Sequence, residues 1–298
     1  MPFTPHAPSH EFAPLDASPG DDVGLLRDLP DVRDLTLEDP AVRETLRKLR
    51  RRRTARAALP AETNSREYLL PASGPYPAAA SAAAAVATLV QYFERRTLGR
   101  AAQPSVGFLY EAARKLAGIT GNVGAGLRTT LHALGRFGCP PERFCPTSAI
   151  FRGNTPDPFA FGFQRDYLEL RYARLDPPSA SGADVLKSLK ACLAAGFAVA
   201  CGAALPDVVD SATGDIGYPT KHDTTSVGSA LVIVGYDDAY RVRSTKGALL
   251  VRAPFGPAWG EAGCGRLPYR YVEERLACDF WTIWKPEWLA SGELDQPV

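Results

Sequence analysis

The side chains of this sequence that could perform nucleophilic chemistry are few and widely spaced. Catalysis by a thiol or hydroxyl needs an imidazole beside it and a third group that orients the imidazole. The chain contains only four histidines, at positions 6, 10, 132 and 222. Ser81, His222 and Asp223 form a nominal triad, but neighbouring residues of an extended chain point in different directions. We therefore do not expect a serine-type triad here.

The six cysteines and the overall charge exclude several classes of function. The cysteines, at positions 139, 145, 192, 201, 264 and 278, show no C-x-x-C spacing, so we expect no metal site, no disulfide framework and no cofactor. A net charge of +1 gives no electrostatic reason to bind nucleic acid or an anionic membrane. The N-terminus lacks the basic and apolar regions of a signal peptide, and the longest apolar run, 78–90, is too short to span a bilayer. These features predict a cytoplasmic protein.

The elements that would position a site change character along the chain. Alanine richness and apolar residues at helical spacing predict helices first, and alternating or continuous apolar runs predict strands later. The predicted helices are 78–96, 104–116, 126–137 and 183–194. The predicted strands are 168–175, 197–204, 231–235, 248–251 and 280–284. The first 25 residues are rich in Pro, Asp and Ser, which is typical of a flexible tail.

Two stretches carry the strongest family signal. Residues 228–238 are Gly-Ser-Ala-Leu-Val-Ile-Val-Gly-Tyr-Asp-Asp, and residues 251–260 are Val-Arg-Ala-Pro-Phe-Gly-Pro-Ala-Trp-Gly. Together they resemble the end of a papain-like cysteine peptidase of the bacterial type, which has Gly-His-Ala-Val before Val-Gly-Tyr-Asp and Arg-Asn-Ser-Trp-Gly before Trp-Gly. Residues 26–34, Leu-Arg-Asp-Leu-Pro-Asp-Val-Arg-Asp, resemble the leader element that precedes the mature domain in that family.

The resemblance implies an α+β protein with the papain-like two-lobed fold, a helical first lobe followed by a β-rich, barrel-like second lobe. We expect a flexible tail over 1–25 and a leader-like segment over 26–70, with a helix from Asp39 and Pro40 to about residue 57. The papain-like domain would span 71–298. Its helical lobe would cover about 71–150 and its β-rich lobe about 151–285.

At the positions that the resemblance implies for catalysis, this chain departs from the family. Ser229 stands at the histidine position, and Ala253 stands at the asparagine position. An alignment anchored on Gly74 places Ala79 at the nucleophile, whereas one anchored on the helix body places Ser81 there. Neither residue is a cysteine, so the sequence predicts a pseudopeptidase with a replaced catalytic triad.

The replacements are small or apolar, so we expect a former active-site cleft that is less polar and roomier than that of a peptidase. Clefts of this kind suit hydrophobic small molecules. The predicted cleft residues are Tyr76, Ala79, Ser81, Tyr218, His222, Thr225, Ser229, Ala253 and Phe255. Binding there could catalyse a non-covalent cyclisation, rearrangement or isomerisation of a polyketide-like natural product. The alternative is an inactive pseudopeptidase that binds a peptide or protein partner as a scaffold or regulator.

Overall fold

The computed structural model describes residues 24–44, 58–121, 123–206, 209–220 and 228–294. The predicted tail falls outside these ranges except for its last two residues, and His222 and Thr225 of the predicted cleft also fall outside them. Of the helix predicted from Asp39 to about residue 57, the described part is helical over residues 40–44.

Most helical residues of the described ranges precede the main strands, as predicted. The helices are Ser81–Leu98 (α1), Val106–Ala117 (α2), Leu127–Phe137 (α3), Thr147–Phe151 (α4), Gly182–Ala194 (α5), Arg270–Glu273 (α6) and Pro286–Ala290 (α7). Short 3₁₀ segments cover Arg66–Tyr68, Ala78–Ala80 and Pro158–Tyr167. The four predicted helices correspond to α1, α2, α3 and α5, with ends shifted by up to three residues. Capping explains where α2 begins. Ser105 is its N-cap residue, and the Ser105 hydroxyl accepts a hydrogen bond from the Phe108 amide.

The strands form one sheet in the described part of the chain. They are Glu62–Asn64 (β1), Arg171–Arg174 (β2), Val199–Ala203 (β3), Ser229–Val242 (β4), Thr245–Arg252 (β5), Cys264–Pro268 (β6) and Ala277–Trp284 (β7). The order is β2-β7-β3-β4-β5-β6 with antiparallel neighbours. Strand β4 pairs with β3 over its first five residues and with β1 over residues 235–237. The mixed helix-and-sheet arrangement confirms the predicted α+β class.

Two predicted boundaries differ from the structure. Residues 236–247, which lie between the predicted strands 231–235 and 248–251, instead extend the β4–β5 hairpin, with Arg241 opposite Lys246 and Val242 opposite Thr245. Polar residues are compatible with a strand where an antiparallel ladder extends into solvent. Strand β1 comes from the segment that we assigned to the leader, so this segment contributes to the sheet. The division into two lobes near residue 150 stays a prediction.

The long helix α1 packs against β4 and organises the core. Its first turns consist of buried alanines, Ala82 to Ala85, whose small side chains allow close approach of the helix to the sheet. Further along, the Phe93 ring stacks on the fully buried Trp288 of α7 with ring centroids 5.2 Å apart. Over the described ranges, no helix combines the length and apolar character that crossing a membrane requires.

Candidate functional site

The N-terminal end of α1 carries both residues that the sequence proposes for the nucleophile position. Ala79 lies in the 3₁₀ turn Ala78–Ala80, and Ser81 is the first residue of α1. Both are buried, and the Ser81 Oγ makes no hydrogen bond with any described residue. Within the described part of the chain, no group is therefore placed to take a proton from this hydroxyl.

The other two replaced positions lie at the start of β4 and just after β5. Ser229 begins β4 opposite Ala203, is buried, and has an Oγ without a hydrogen-bond partner among the described residues. Ala253 is buried beyond the end of β5, where its amide donates to the Gly263 carbonyl. Two residues later, the Phe255 ring packs edge-on against Trp259, with centroids 5.2 Å apart. These local contacts hold both positions in place. Neither Ser229 nor Ala253 supplies an acid, a base or an activated nucleophile.

A small cavity lies beside Ala253; of the predicted cleft residues, Tyr76 and Ala253 line it, whereas Ala79, Ser81, Ser229 and Phe255 do not. Tyr76 closes it from one side, because its amide donates to the Pro254 carbonyl and its hydroxyl bonds to the Ser73 Oγ at 2.7 Å. The remaining volume is about 30 Å³, and the wall includes polar groups of Gln91, Gln103 and Arg252. This is room for a water molecule or two rather than a polyketide-sized ligand.

The chain's own segment 24–34, which we call the leader segment, lies against the candidate positions. The Leu25 amide donates to the Gly228 carbonyl at 2.9 Å, immediately before Ser229. The carbonyl oxygens of Gly24 and Ala79 both lie so close to Gly124 that a Cβ there would overlap them. Leu25 is 2% exposed, and its side chain occupies the space that a Cβ on Gly202 would need. We call the surface formed by Ala79, Gly124, Gly202 and Gly228 the leader groove; it holds residues 24 and 25.

A buried charge network fastens the next part of the leader segment. The Asp28 amide donates to the Asp279 carboxylate at 2.8 Å, and the Asp28 carboxylate accepts from the Arg128 amide and from the Trp281 indole. Arg174, only 5% exposed, lies at the centre. Its guanidinium pairs with Asp279 at 2.6 Å, Asp176 at 3.1 Å and Asp34 at 3.6 Å. The network joins the leader segment to α3, β2 and β7.

Three carboxyl groups of this network, those of Asp28, Asp176 and Asp279, hold their protons unusually tightly. Burial, together with the charge of Asp28, raises the pKa of Asp279 to about 7, and burial also raises the pKa values of Asp28 and Asp176. Separately, burial raises the pKa of Glu94 to about 7, although the charge of Lys285 acts in the opposite direction. A carboxyl whose pKa is higher in the folded state than in the unfolded state favours folding when protonated.

This pattern predicts that the protein becomes less stable as the pH rises from about 4 to about 7. In that window the unfolded chain has released the Asp279 proton while the folded chain retains it, so the free energy of unfolding falls with pH. We expect a fall of at least about 1 kcal/mol in urea denaturation. Asp279→Asn, compatible with the left-handed φ of 55° at this position, should reduce the fall, and Glu94→Gln should reduce it independently. Stability that rises over the same window would contradict the assignment.

The remaining predicted cleft residues are not all brought to this place. The Tyr218 hydroxyl bonds to Glu274 at 2.5 Å, Arg270 stacks over its ring, and burial raises its pKa to about 12. These contacts tie Tyr218 to α6 and to Glu274, which follows it, and Tyr218 is not among the residues that line the Ala253 cavity. For His222 and Thr225, which lie outside the described residues, a place in the cleft stays a prediction.

No cysteine of the chain is placed as a nucleophile. All six are buried, and burial raises the thiol pKa of Cys192 to about 12 and the pKa values of Cys139 and Cys201 further. A thiolate is the nucleophilic form of cysteine, so the thiols of Cys139, Cys192 and Cys201 are inert at neutral pH. His132, the histidine within the described ranges, is exposed on α3.

The unpartnered hydroxyls of Ser81 and Ser229 give a direct stability prediction. Removing a buried hydroxyl that forms no hydrogen bond removes only its desolvation cost, so Ser81→Ala and Ser229→Ala should leave the free energy of unfolding unchanged or raise it by up to about 1 kcal/mol. Ser105→Ala is the matched control, because the Ser105 Oγ bonds to both the Cys145 carbonyl and the Phe108 amide. That control should cost about 1 to 3 kcal/mol in urea denaturation. A comparable loss in Ser81→Ala would mean that its hydroxyl has a partner.

Comparisons with known proteins show which solved structures have a similar fold. The chain is similar to xylellain, a cysteine protease from Xylella fastidiosa, with 25% identity, a TM-score of 0.67 and coverage of 92% of this chain and 99% of that chain. It is also similar to procathepsin L 3 of the Tenebrio molitor larval midgut (16% identity, TM-score 0.56, 78% of this chain and 72% of that chain). The bromelain protease of Ananas comosus, in complex with the E64 inhibitor, gives 15% identity, a TM-score of 0.54, and 74% and 97% coverage. The last two likenesses show the fold alone.

A curated protein gives a similar result. An uncharacterized peptidase C1-like protein of Acanthamoeba polyphaga mimivirus is 27% identical over 188 residues, which is 60% of this chain. The chain spans 58% of the length of that relative. No protein-family model matches the chain. The fold is therefore papain-like, of the C1 cysteine peptidase type.

These comparisons correct the functional prediction. The prediction of a non-peptidase protein with a hydrophobic small-molecule cleft, acting as a cyclase or isomerase, is wrong by this measure, because the similar proteins are cysteine proteases and an uncharacterized peptidase C1-like protein. None of these proteins is described as an inactive scaffold or regulator, so the alternative gains no support from them either.

Sequence reasoning missed the residues that fasten the leader segment. Leu25, Arg174 and Asp279 gave no signal as a group, because they are separated by about a hundred residues or more along the chain. The motif at 26–34 is visible in the sequence, but nothing in one sequence indicates which distant charged residues pair with its aspartates. The glycines at 124 and 202, which allow close approach of the leader segment, were the one local signal available.

Proposed function

We propose that the leader groove binds an extended polypeptide, which is the class of molecule on which proteases of this fold act. The observation that carries this proposal is the way in which residues 24 and 25 bind in the leader groove. There the chain's own non-helical backbone bonds to the Gly228 carbonyl and inserts a leucine side chain beside Gly202. A backbone hydrogen bond combined with a side-chain pocket is the way an extended peptide is recognised by a strand end.

The groove has the chemistry that an extended peptide requires. A peptide in a groove needs partners for its backbone groups and space for alternate side chains. The Gly228 carbonyl supplies an acceptor, and Gly202 and Gly124 leave the space that a side chain would otherwise fill. We infer that an apolar residue is preferred at the Leu25 position, because the pocket there is fully buried.

We further propose that the catalytic triad of the papain-like peptidases is replaced here. Three separate positions support this: Ala79 or Ser81 at the nucleophile, Ser229 at the histidine, and Ala253 at the asparagine. The burial of every cysteine supports it independently. Loss of one triad member typically removes several orders of magnitude of rate.

The experiment that tests this function uses the full-length Leu25→Asp protein, in which a buried carboxylate should displace the leader segment from its groove, and dye-labelled, unfolded casein. We expect the casein to bind, as a rise in fluorescence polarisation, and to remain uncleaved on a gel. Cleavage blocked by iodoacetamide would overturn the replaced triad. Cleavage that resists iodoacetamide but is lost in Ser81→Ala would also overturn it, by making Ser81 a nucleophile. Absence of binding in a variant whose leader segment is displaced would overturn the peptide groove.

We also propose a cytoplasmic location. All six cysteines are unpaired, which suits a reducing compartment. Alkylation of the denatured protein from its host, followed by mass measurement, should find six free thiols. A disulfide in that protein would contradict the proposal.

A further inference from the structure

The small cavity beside Ala253 has a wall of its own, to which none of the four residues that define the leader groove contributes. It lies between α1, β4, the end of β5 and the segment that precedes α1, and its volume is about 30 Å³. A cavity needs about 10 to 15 Å³ of this volume to hold one water molecule. The space therefore admits one or two groups of that size, such as water or a monoatomic ion, and excludes larger oxyanions and metabolites.

An amide donor lies in the inner wall of this cavity. Gln91 of α1 lines it and is only 3% exposed. The Gln91 Oε1 accepts a hydrogen bond from the Leu70 amide at 2.8 Å, which fixes the orientation of the side-chain amide. The Gln91 Nε2 has no hydrogen-bond partner among the described residues. Burying an N–H donor without an acceptor costs free energy, so this nitrogen requires an acceptor in the cavity.

A cation without a carboxylate partner lines the same cavity. Arg252, the last residue of β5, is half-buried, and its Nε donates to the Cys264 Sγ at 3.4 Å. Sulfur is a weak acceptor, so most of the hydrogen-bonding capacity of the guanidinium is unused. A Cβ on Gly263 would lie 2.7 Å from the Ala72 Cβ and 3.6 Å from the Arg252 Nη1, which places the guanidinium close to the cavity wall at Ala72. Among the described residues, Arg252 forms no ion pair.

No acidic side chain balances this charge within the wall. None of the described residues that line the cavity is an aspartate or a glutamate. Glu142, whose charge adds to burial in raising the pKa of Tyr76, stands outside the wall, and its two oxygens bond to the Thr147 amide and hydroxyl. The cavity is therefore positive, and the groups that seek a partner in it are donors.

We propose that this cavity is a halide site, in which one chloride ion accepts hydrogen bonds from the Gln91 Nε2 and the Arg252 guanidinium. Hydrogen bonds from a cation to an anion are about twice as strong as those between neutral groups. A water molecule in the same place would satisfy Gln91 but leave the guanidinium charge unbalanced. The ion would connect α1 to β5 beside the segment that precedes α1, so it would stabilise the folded chain.

The test is urea denaturation of the full-length protein in mixtures of sodium chloride and sodium gluconate at constant ionic strength. Gluconate has the same charge as chloride but is too large for the cavity. The urea midpoint should rise and then level off as chloride replaces gluconate, because a ligand that binds only the folded chain stabilises it. A midpoint that is indifferent to chloride would contradict the proposal.

Two variants assign the effect to this cavity. Gln91→Glu keeps an acceptor for the Leu70 amide and adds a fixed negative charge near Arg252, so it should abolish the chloride dependence. Arg252→Met should weaken the apparent chloride affinity at least about tenfold. Arg266→Met is the matched control, because Arg266 is also half-buried, lies on the neighbouring strand β6 with its guanidinium over the Tyr240 ring, and stands outside the wall. It should leave the chloride dependence unchanged.

Full chloride dependence in Gln91→Glu, or equal weakening by Arg252→Met and Arg266→Met, would overturn the halide site. Crystals grown in bromide give a direct view, because bromide replaces chloride and scatters anomalously. An anomalous peak in contact with Gln91 and Arg252 is expected, and bromide peaks confined to the protein surface would refute the site. The halide site is independent of peptide binding, which is measured with casein and involves neither of these side chains.

Discussion

Arg174→Met is expected to lower the free energy of unfolding by about 3 to 5 kcal/mol, because it leaves a buried carboxylate cluster without its cation. The guanidinium lies within 3.6 Å of Asp34, Asp176 and Asp279, and it also donates to the Asp28 carbonyl. Methionine fills similar volume without charge, so the loss reports the uncompensated charge rather than a void. Urea denaturation at about pH 8 gives the largest effect, since Asp279 is then ionised.

The matched control is Arg33→Met. Arg33 also forms an ion pair with an aspartate, Asp31, but its side chain is 86% exposed. Pairs of this kind contribute little to stability because solvent screens them. We expect no measurable change in the urea midpoint for Arg33→Met. An equally small change in Arg174→Met would mean that the buried network does not fasten the leader segment to the body.

Leu25→Asp is expected to displace the leader segment from its groove. Leu25 is 2% exposed, and a carboxylate there would be buried without a cation, at a cost of several kcal/mol. Dissociation of the segment avoids that cost, so the folded body persists with its groove open. Limited trypsin digestion measures this, because Arg27 and Arg33 become cleavable when the segment is released.

Leu29→Asp is the control for this experiment. Leu29 belongs to the same segment but is 62% exposed, so a carboxylate at this position remains in water. Cleavage after Arg27 should be fast in Leu25→Asp and slow in Leu29→Asp and in the unmodified protein. Equal cleavage rates in the two variants would show that residue 25 is not the anchor of the segment.

The secondary structure of this chain was largely accessible from its sequence, for a physical reason. Ala-rich periodicity predicts α1, because alanine favours helix regardless of context, and Gly138 at the end of α3 marks a helix end by its left-handed φ of 75°. The length of the β4–β5 hairpin was underestimated from the sequence, because its outer half consists of polar residues whose pairing depends on the partner strand.

The site was less accessible than the fold. The positions of Ser229 and Ala253 could be located from the flanking glycines and aromatics, but the size of the space around them could not. That size depends on Tyr76, whose ring closes the cavity through contacts with Ser73 and Pro254. The small residues alone suggested a roomy cleft. In the structure, Tyr76 closes the space beside Ala253, and the leader segment lies beside Ala79 and Gly228. Long-range packing of this kind leaves no local pattern.

The central claim is that the groove beside Ala79 and Gly228 is a binding site for extended polypeptide. The most direct measurement is fluorescence polarisation of a labelled peptide with the sequence of residues 24–34, titrated with the full-length Leu25→Asp protein. Saturable binding is predicted, with strong weakening when the peptide itself carries aspartate at the position of Leu25 and little change when it carries aspartate at the position of Leu29. No binding of the unmodified peptide, or binding that is indifferent to the Leu25 position, would contradict the account.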